Sequence, residues 1–136
     1  MPTQSIWMIR LSLFYLMVAI LTGAVLLTHK AVPIHNAIWG LLPIHYEAAI
    51  WGWLVQFLMG TAYWMFPRYL RDMGRGSAGL AWSVVILINL GLLLLIASTL
   101  TSESLAIAGR SLLMIGTLLF GGIMWNRVVS YRNKNS

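Results

Sequence analysis

Four apolar runs, each about 20 residues long, constrain most strongly what this 136-residue chain can fold into. At a rise of 1.5 Å per residue, about 20 apolar residues in a helix cross the hydrocarbon core of a bilayer. Backbone polar groups in hydrocarbon must be satisfied within the segment, so each run is predicted to be an α-helix. The four predicted helices cover residues 9–28, 46–66, 78–98 and 105–126.

The composition supports a membrane location. Sixty per cent of the residues are apolar and only 9% are charged, whereas a soluble domain carries about 25% charged residues. A single integral membrane domain over residues 1–136 is therefore expected. The chain has no cysteine, which excludes disulfides, thiolate metal sites and Cys-attached haem. The net charge of +6 comes from basic residues at segment ends, and these form no stripe suited to nucleic acid.

The distribution of basic residues predicts the orientation of the helices. An even number of spans places both termini on one side, and Lys and Arg accumulate on the cytoplasmic side. Seven of the nine basic residues then share the side of the termini: Arg10, Arg68, Arg71, Arg75, Arg127, Arg132 and Lys134. We therefore predict an up-and-down four-helix transmembrane bundle with both termini cytoplasmic, in a bacterial inner membrane.

The segment between the first two predicted helices contains two prolines, Pro33 and Pro43, each suited to the first turn of a helix. Residues 33–40 are predicted to form a short interfacial helix, with Trp39 at the level of the lipid headgroups. In the predicted orientation the three histidines and Glu47 lie at the outer face.

One face of the second predicted helix carries a stripe of small and polar residues: His45, Ala49, Gly52, Gln56 and Gly60. Small residues in a membrane helix mark where a neighbouring backbone or a flat ligand approaches closely. Neutral imidazole is a good ligand for haem iron, and glycines one and two turns away would leave room for a porphyrin. The alternative is a histidine hydrogen-bonded to a loop carbonyl, with glycines that serve ordinary helix packing.

Two further polar residues near the outer face invite interpretation. Glu47 has two possible interpretations: it relays protons or contacts a quinol, or it is a solvated carboxylate on the outer surface. We favour the solvated carboxylate. Arg110 is expected to extend to the interface or to face Glu103. In the fourth helix, Gly116, Gly121 and Gly122 indicate close helix contact, within a homo-oligomer or with a partner in a larger membrane complex.

The first half of the chain resembles the N-terminal helices of haem-copper oxidase subunit I, most closely C-type oxidases and nitric oxide reductase large subunits. The resemblance runs from Ile6 to Arg68. It is carried by His45, Gly52 and Gly60, by the closing sequence AYWMFPR at 62–68, and by the first helix from Trp7 to Pro33. It implies that His45 corresponds to a low-spin haem ligand of that family.

The chain departs from the family in an informative way. In that family the opposite haem ligand and the copper-binding histidines come from later helices, and this chain has no such histidines. It is therefore not expected to be catalytic alone. A haem b on His45 would need a second axial ligand from His29, His35, a methionine, a second copy or a partner subunit.

Three functions follow as hypotheses. The first is a small oxidase-like membrane subunit in or beside a respiratory electron-transfer complex, with haem b on His45 exchanging electrons with a quinol or a cytochrome. The second is a cofactor-free structural accessory subunit. The third is a small sensor or transporter that uses His45 and Glu47 as protonatable groups.

Overall fold

The computed structural model describes residues 1–66 and 77–132, with side chains up to Val128. All regular structure in these ranges is helical, which confirms the predicted all-α fold. The elements are α1 (Thr3–Ala31), a 3₁₀ helix (Asn36–Gly40), α2 (Leu41–Glu47), a π-helix (Ala48–Val55), α3 (Gln56–Met65), α4 (Ala78–Ser98) and α5 (Glu103–Arg132). The end of the oxidase-like motif, Pro67 and Arg68, lies outside the described residues, as do Arg71, Arg75 and Lys134.

Three of the described helices, α1, α4 and α5, are long and apolar enough to cross a membrane. They identify the chain as an integral membrane protein. The second apolar run is divided among α2, the π-helix and α3, which follow one another without a break. We call this continuous stretch, residues 41–65, the second helix.

Local sequence explains where these helices begin and end. Val32 leaves the helical region with φ −131° and ψ 103°, because the following Pro33 disfavours helical backbone in the residue before it. The 3₁₀ helix begins after His35, whose Nδ1 accepts a hydrogen bond from the backbone N–H of Ala37 at 3.2 Å. At the start of α4, the Ser77 hydroxyl accepts from the backbone N–H of Leu80 at 3.5 Å.

The described helices pack as two antiparallel pairs. The first pair is α1 with the second helix, the other is α4 with α5, and α4 also contacts α1 and the second helix. The core between them contains Met8, Tyr15, Ile88 and Leu92, all at least 95% buried. The opposite faces expose large apolar side chains, as expected of helices surrounded by lipid: Phe14, Met17, Ile20, Leu21, Ile86, Leu93 and Leu118.

The α4–α5 pair approaches most closely at two glycines. A Cβ atom added to Gly109 would lie 2.8 Å from the carbonyl oxygen of Gly91, and a Cβ added to Gly91 would lie 2.9 Å from the carbonyl oxygen of Gly109. Both obstacles are backbone atoms, which cannot rotate away. The two helices therefore pack at this distance only because neither position carries a side chain.

We expect Gly109→Ala to lower the free energy of unfolding by about 1–3 kcal/mol, the range typical of overpacking. Unfolding of the purified protein in detergent micelles, followed by circular dichroism, measures the change. Gly121→Ala is the matched control on the same helix, because a Cβ there meets no described atom within 4 Å. Equal stability of the two variants would contradict the close α4–α5 contact.

Candidate functional site

His45 of α2 points into the protein, toward α1. Its Nδ1 lies 2.8 Å from the backbone carbonyl oxygen of Ala19. A carbonyl only accepts, so Nδ1 carries the proton and donates it, which leaves a lone pair on Nε2. The ring rests on Gly23, where an added Cβ would lie 2.7 Å from the imidazole Cε1. Gly23 therefore provides the space that the imidazole occupies.

His29 has a different arrangement at the end of α1. Its ring is buried, and its Nδ1 accepts the backbone N–H of Ile34 at 3.0 Å. The ring also packs edge-on against Trp39, with centroids 5.5 Å apart. Because Nδ1 accepts, the proton of the neutral ring is on Nε2, so neither nitrogen offers a lone pair to a metal. His29 therefore holds the segment that follows α1 through its hydrogen bond with Ile34.

The structure does not bring these two histidines to one level. His45 contacts α1 at Gly23, six residues before His29, which corresponds to about 9 Å along the helix axis. Each imidazole is held by its own backbone partner, Ala19 for His45 and Ile34 for His29. In the described ranges, no group of three or more His, Cys, Asp or Glu side chains gathers where it could hold a metal ion.

The glycines of the small-residue stripe are covered by side chains of α1. At Gly52, an added Cβ would lie 2.5 Å from Cγ of Tyr15, whose side chain is 95% buried. At Gly60, it would lie 3.0 Å from atoms of both Met8 and Ile9. The space that the stripe leaves free is therefore filled by α1 itself.

Around Gly52 the helix takes the wider π form, from Ala48 to Val55. The backbone N–H of Gln56 reaches back to the carbonyl of Trp51, five residues earlier, as π geometry requires. Such segments are rare in proteins and are frequently found at functional sites. Here the π-helix contains Gly52, the residue on which Tyr15 packs.

Gln56 is the one polar member of the stripe that is almost fully buried, with 1% of its surface exposed. Neither its amide nitrogen nor its amide oxygen has a partner among the described residues. Gly52 lies on Tyr15 and Gly60 on Met8, so the antiparallel register places Gln56 near the level of Ser12. Ser12 is also fully buried.

These residues fit a haem poorly as they are arranged. The lone pair on Nε2 of His45 suits a metal, and a histidine that ligates one usually donates its other N–H to a carbonyl or carboxylate. The faces of Gly52 and Gly60 that a porphyrin would need are covered by Tyr15, Met8 and Ile9. Tyr15 would have to leave the core before a flat macrocycle entered beside Gly52.

Glu47 lies next to this site and forms an ion pair with Arg110. Arg110 Nη2 donates to Glu47 Oε1 at 2.7 Å, and the two side chains are 59% and 8% exposed. The interpretation of Glu47 as a solvated surface carboxylate is wrong, because the carboxylate is buried and paired. Arg110 donates to Glu47 and not to Glu103. Sixty-three residues separate the partners, so no local pattern could have revealed the pair.

The sequence analysis missed the burial of another cation, Arg127. Arg127 of α5 has no exposed surface and donates to the backbone carbonyls of Tyr63 at 3.2 Å and Phe66 at 2.7 Å. Its guanidinium also lies 5.2 Å from the centroid of the Tyr63 ring. It therefore caps the carboxyl end of the second helix, where the helix dipole favours a cation. In the sequence, Arg127 had served only as one of the basic residues that predict which side of the membrane is cytoplasmic.

Comparisons with protein-family models, with curated proteins and with solved structures find no match to this chain. The resemblance to haem-copper oxidase subunit I stays a prediction that rests on the residues that carry it.

We expect Gly52→Ala to destabilise the protein by about 1–3 kcal/mol, because the added methyl group overlaps the Tyr15 ring. Unfolding in detergent micelles measures the loss. The double variant Tyr15→Ala/Gly52→Ala should lose less than the sum of the two single variants, since alanine at position 15 lacks the Cγ and Cδ1 atoms that the added methyl group would meet. Strict additivity would contradict direct contact, and Gly122→Ala is a control with no described atom near the added Cβ.

We expect Arg110→Gln to destabilise the protein by about 1–2 kcal/mol, because it leaves the buried Glu47 carboxylate without its cation. The cost stays below that of a fully buried pair because Arg110 is more than half exposed. The double variant Glu47→Gln/Arg110→Gln removes both charges and should recover part of the loss. A double variant less stable than Arg110→Gln alone would contradict this account of the pair.

Proposed function

We propose that this chain is a structural accessory subunit of a larger membrane complex and folds without a prosthetic group between its helices. The observation that carries the proposal is the contact of Tyr15 with Gly52. The small-residue stripe, which would otherwise offer a ligand groove, is used for packing within the chain. The resemblance to haem-copper oxidase subunit I favours a respiratory electron-transfer complex as the assembly that it joins.

The proposal includes four transmembrane spans with both termini in the cytoplasm. The second helix covers 25 residues from Leu41 to Met65, long enough to be the fourth span beside α1, α4 and α5. Its first turns contain the buried Glu47, which pairs with Arg110 of α5, and its last carbonyls are capped by Arg127. An orientation with seven of nine basic residues on the side of the termini is the one that the positive-inside rule favours.

The surface of α5 supports association with a partner. Gly116 packs against Ile88 and Leu87 within the chain, but a Cβ added to Gly121 or Gly122 meets no described atom within 4 Å. Gly122 and Ser77 line a groove of about 430 Å³ between the start of α4 and the second half of α5. Exposed glycines beside such a groove suit the close approach of another helix.

A haem-bearing form is the second candidate. The N–H of His45 donates to Ala19, so Nε2 has the lone pair that an axial ligand needs. This form requires displacement of Tyr15 and an axial ligand other than His29. In this form, the redox chemistry would belong to the haem, and the chain would position it. A sensor based on Glu47 has less support, because that carboxylate is buried and paired.

One preparation tests both candidates. The tagged chain is expressed in haem-replete cells of its own source and purified in mild detergent. We expect no Soret absorption, and we expect co-purification with a respiratory oxidase or a quinol-oxidising complex. The variant His45→Gln keeps an N–H donor for Ala19 but lacks the imidazole, and it should assemble equally well.

Two outcomes would contradict the accessory role. A stoichiometric Soret band that disappears in His45→Gln would establish the haem-bearing form instead. Sedimentation of the native chain as a lone subunit, free of any respiratory complex in gently solubilised membranes, would remove the partner from the proposal.

A further inference from the structure

A second groove, of about 310 Å³, lies between the second helix and α5, away from the His45 contacts. Its lining residues are Trp51, Arg110, Leu113, Met114, Thr117 and Leu118. Apart from Arg110 and Thr117 the lining is apolar, and the Thr117 hydroxyl already donates to the carbonyl of Leu113 in its own helix. Arg110 is therefore the group that gives this groove its polar character.

Arg110 has hydrogen-bonding capacity beyond its ion pair. A guanidinium has five N–H donors, and the Glu47 contact uses Nη2. The side chain is 59% exposed and lines the groove. The Glu47 carboxylate is only 8% exposed and already accepts from Arg110. The groove thus offers donors to an anion and little acceptor surface to an ammonium group.

The depth of these residues matches one leaflet of a bilayer. The 30 residues of α5 extend about 45 Å, more than the hydrocarbon thickness of about 30 Å, so its end turns lie among the headgroups. Arg110 is seven residues after the start of α5, about 10 Å along its axis. Leu118 lies about 12 Å further along the axis than Arg110, and this distance is comparable with the hydrocarbon thickness of one leaflet, about 15 Å.

We propose that this groove binds one phospholipid with an anionic headgroup. The lipid phosphate accepts hydrogen bonds from the exposed face of Arg110, whose planar donors suit phosphate oxygens. One acyl chain lies along Trp51, Met114 and Leu118. The binding is independent of the accessory role and of haem, because no groove residue hydrogen-bonds to His45 or lies among the atoms nearest to a Cβ added at Gly52 or Gly60.

Native mass spectrometry of the full chain released from detergent micelles tests this proposal, with phosphatidylglycerol and phosphatidylcholine of equal chain length added separately. We expect one retained phosphatidylglycerol per chain, and a weaker phosphatidylcholine adduct. Arg110→Gln should weaken phosphatidylglycerol binding about five- to tenfold, as loss of a charge-assisted hydrogen bond implies. Arg10→Gln removes the same charge from an exposed position on α1 and should leave binding unchanged.

Two further variants keep the test decisive. Leu118→Trp fills the apolar part of the groove from an exposed position and should weaken retention of the lipid with Arg110 intact. If Arg110→Gln does not fold, Glu47→Gln/Arg110→Gln replaces it, since no unpaired charge remains. Equal retention of the two lipids, undiminished binding in the Arg110 variants, or a groove occupied by quinone in place of phospholipid would each overturn the proposal.

Discussion

Close packing between helices is the constraint on which this structure depends, because lipid supplies no hydrophobic force that would drive one apolar helix onto another. Contact must come from surfaces that fit. Glycines provide much of this fit, and three of the contacts show it: Gly23 against the His45 ring, Gly52 against the Tyr15 ring, and Gly109 against the backbone of Gly91. Apolar side chains elsewhere on the same helices remain exposed, as lipid allows.

Two cations connect the two helix pairs at opposite ends of the second helix. Glu47 near its start pairs with Arg110, and the carbonyls at its end accept hydrogen bonds from Arg127. Both cations belong to α5. A buried carboxylate and terminal backbone carbonyls are costly in an apolar medium, so each cation compensates a group that would otherwise be left unpaired. Their placement fixes α5 along the length of the second helix.

Sequence reasoning reached the all-α class, since apolar runs long enough to cross a bilayer must satisfy their backbone hydrogen bonds as helices. The small-residue stripe also indicated a face of the second helix that a neighbour approaches closely, and α1 does so at Gly52 and Gly60. The sequence did not allow us to predict what fills the space beside the stripe. Whether Gly52 receives a cofactor or Tyr15 depends on the register between two helices, which the pattern of one helix does not contain.

Contacts between residues far apart in the sequence could not be predicted, for the same reason. Glu47 and Arg110 are 63 residues apart, and each was interpreted from its nearest neighbours in sequence. Arg127 was used only as evidence for the orientation of the helices in the membrane, although it is fully buried and caps another helix. A charged residue within an apolar run of a membrane helix therefore needs a partner assigned from another helix before its role can be interpreted.

The π-helix sets the rotational phase of the second helix. In a regular α-helix, the eight-residue step from Gly52 to Gly60 would turn the second glycine about 80° away from the first. The wider turns between Ala48 and Val55 rotate less per residue and reduce that angle, so both glycines meet α1. A tightening of these turns to α geometry would swing the lower half of the helix around its axis, so α1 would face Gln56 and its neighbours from a different side.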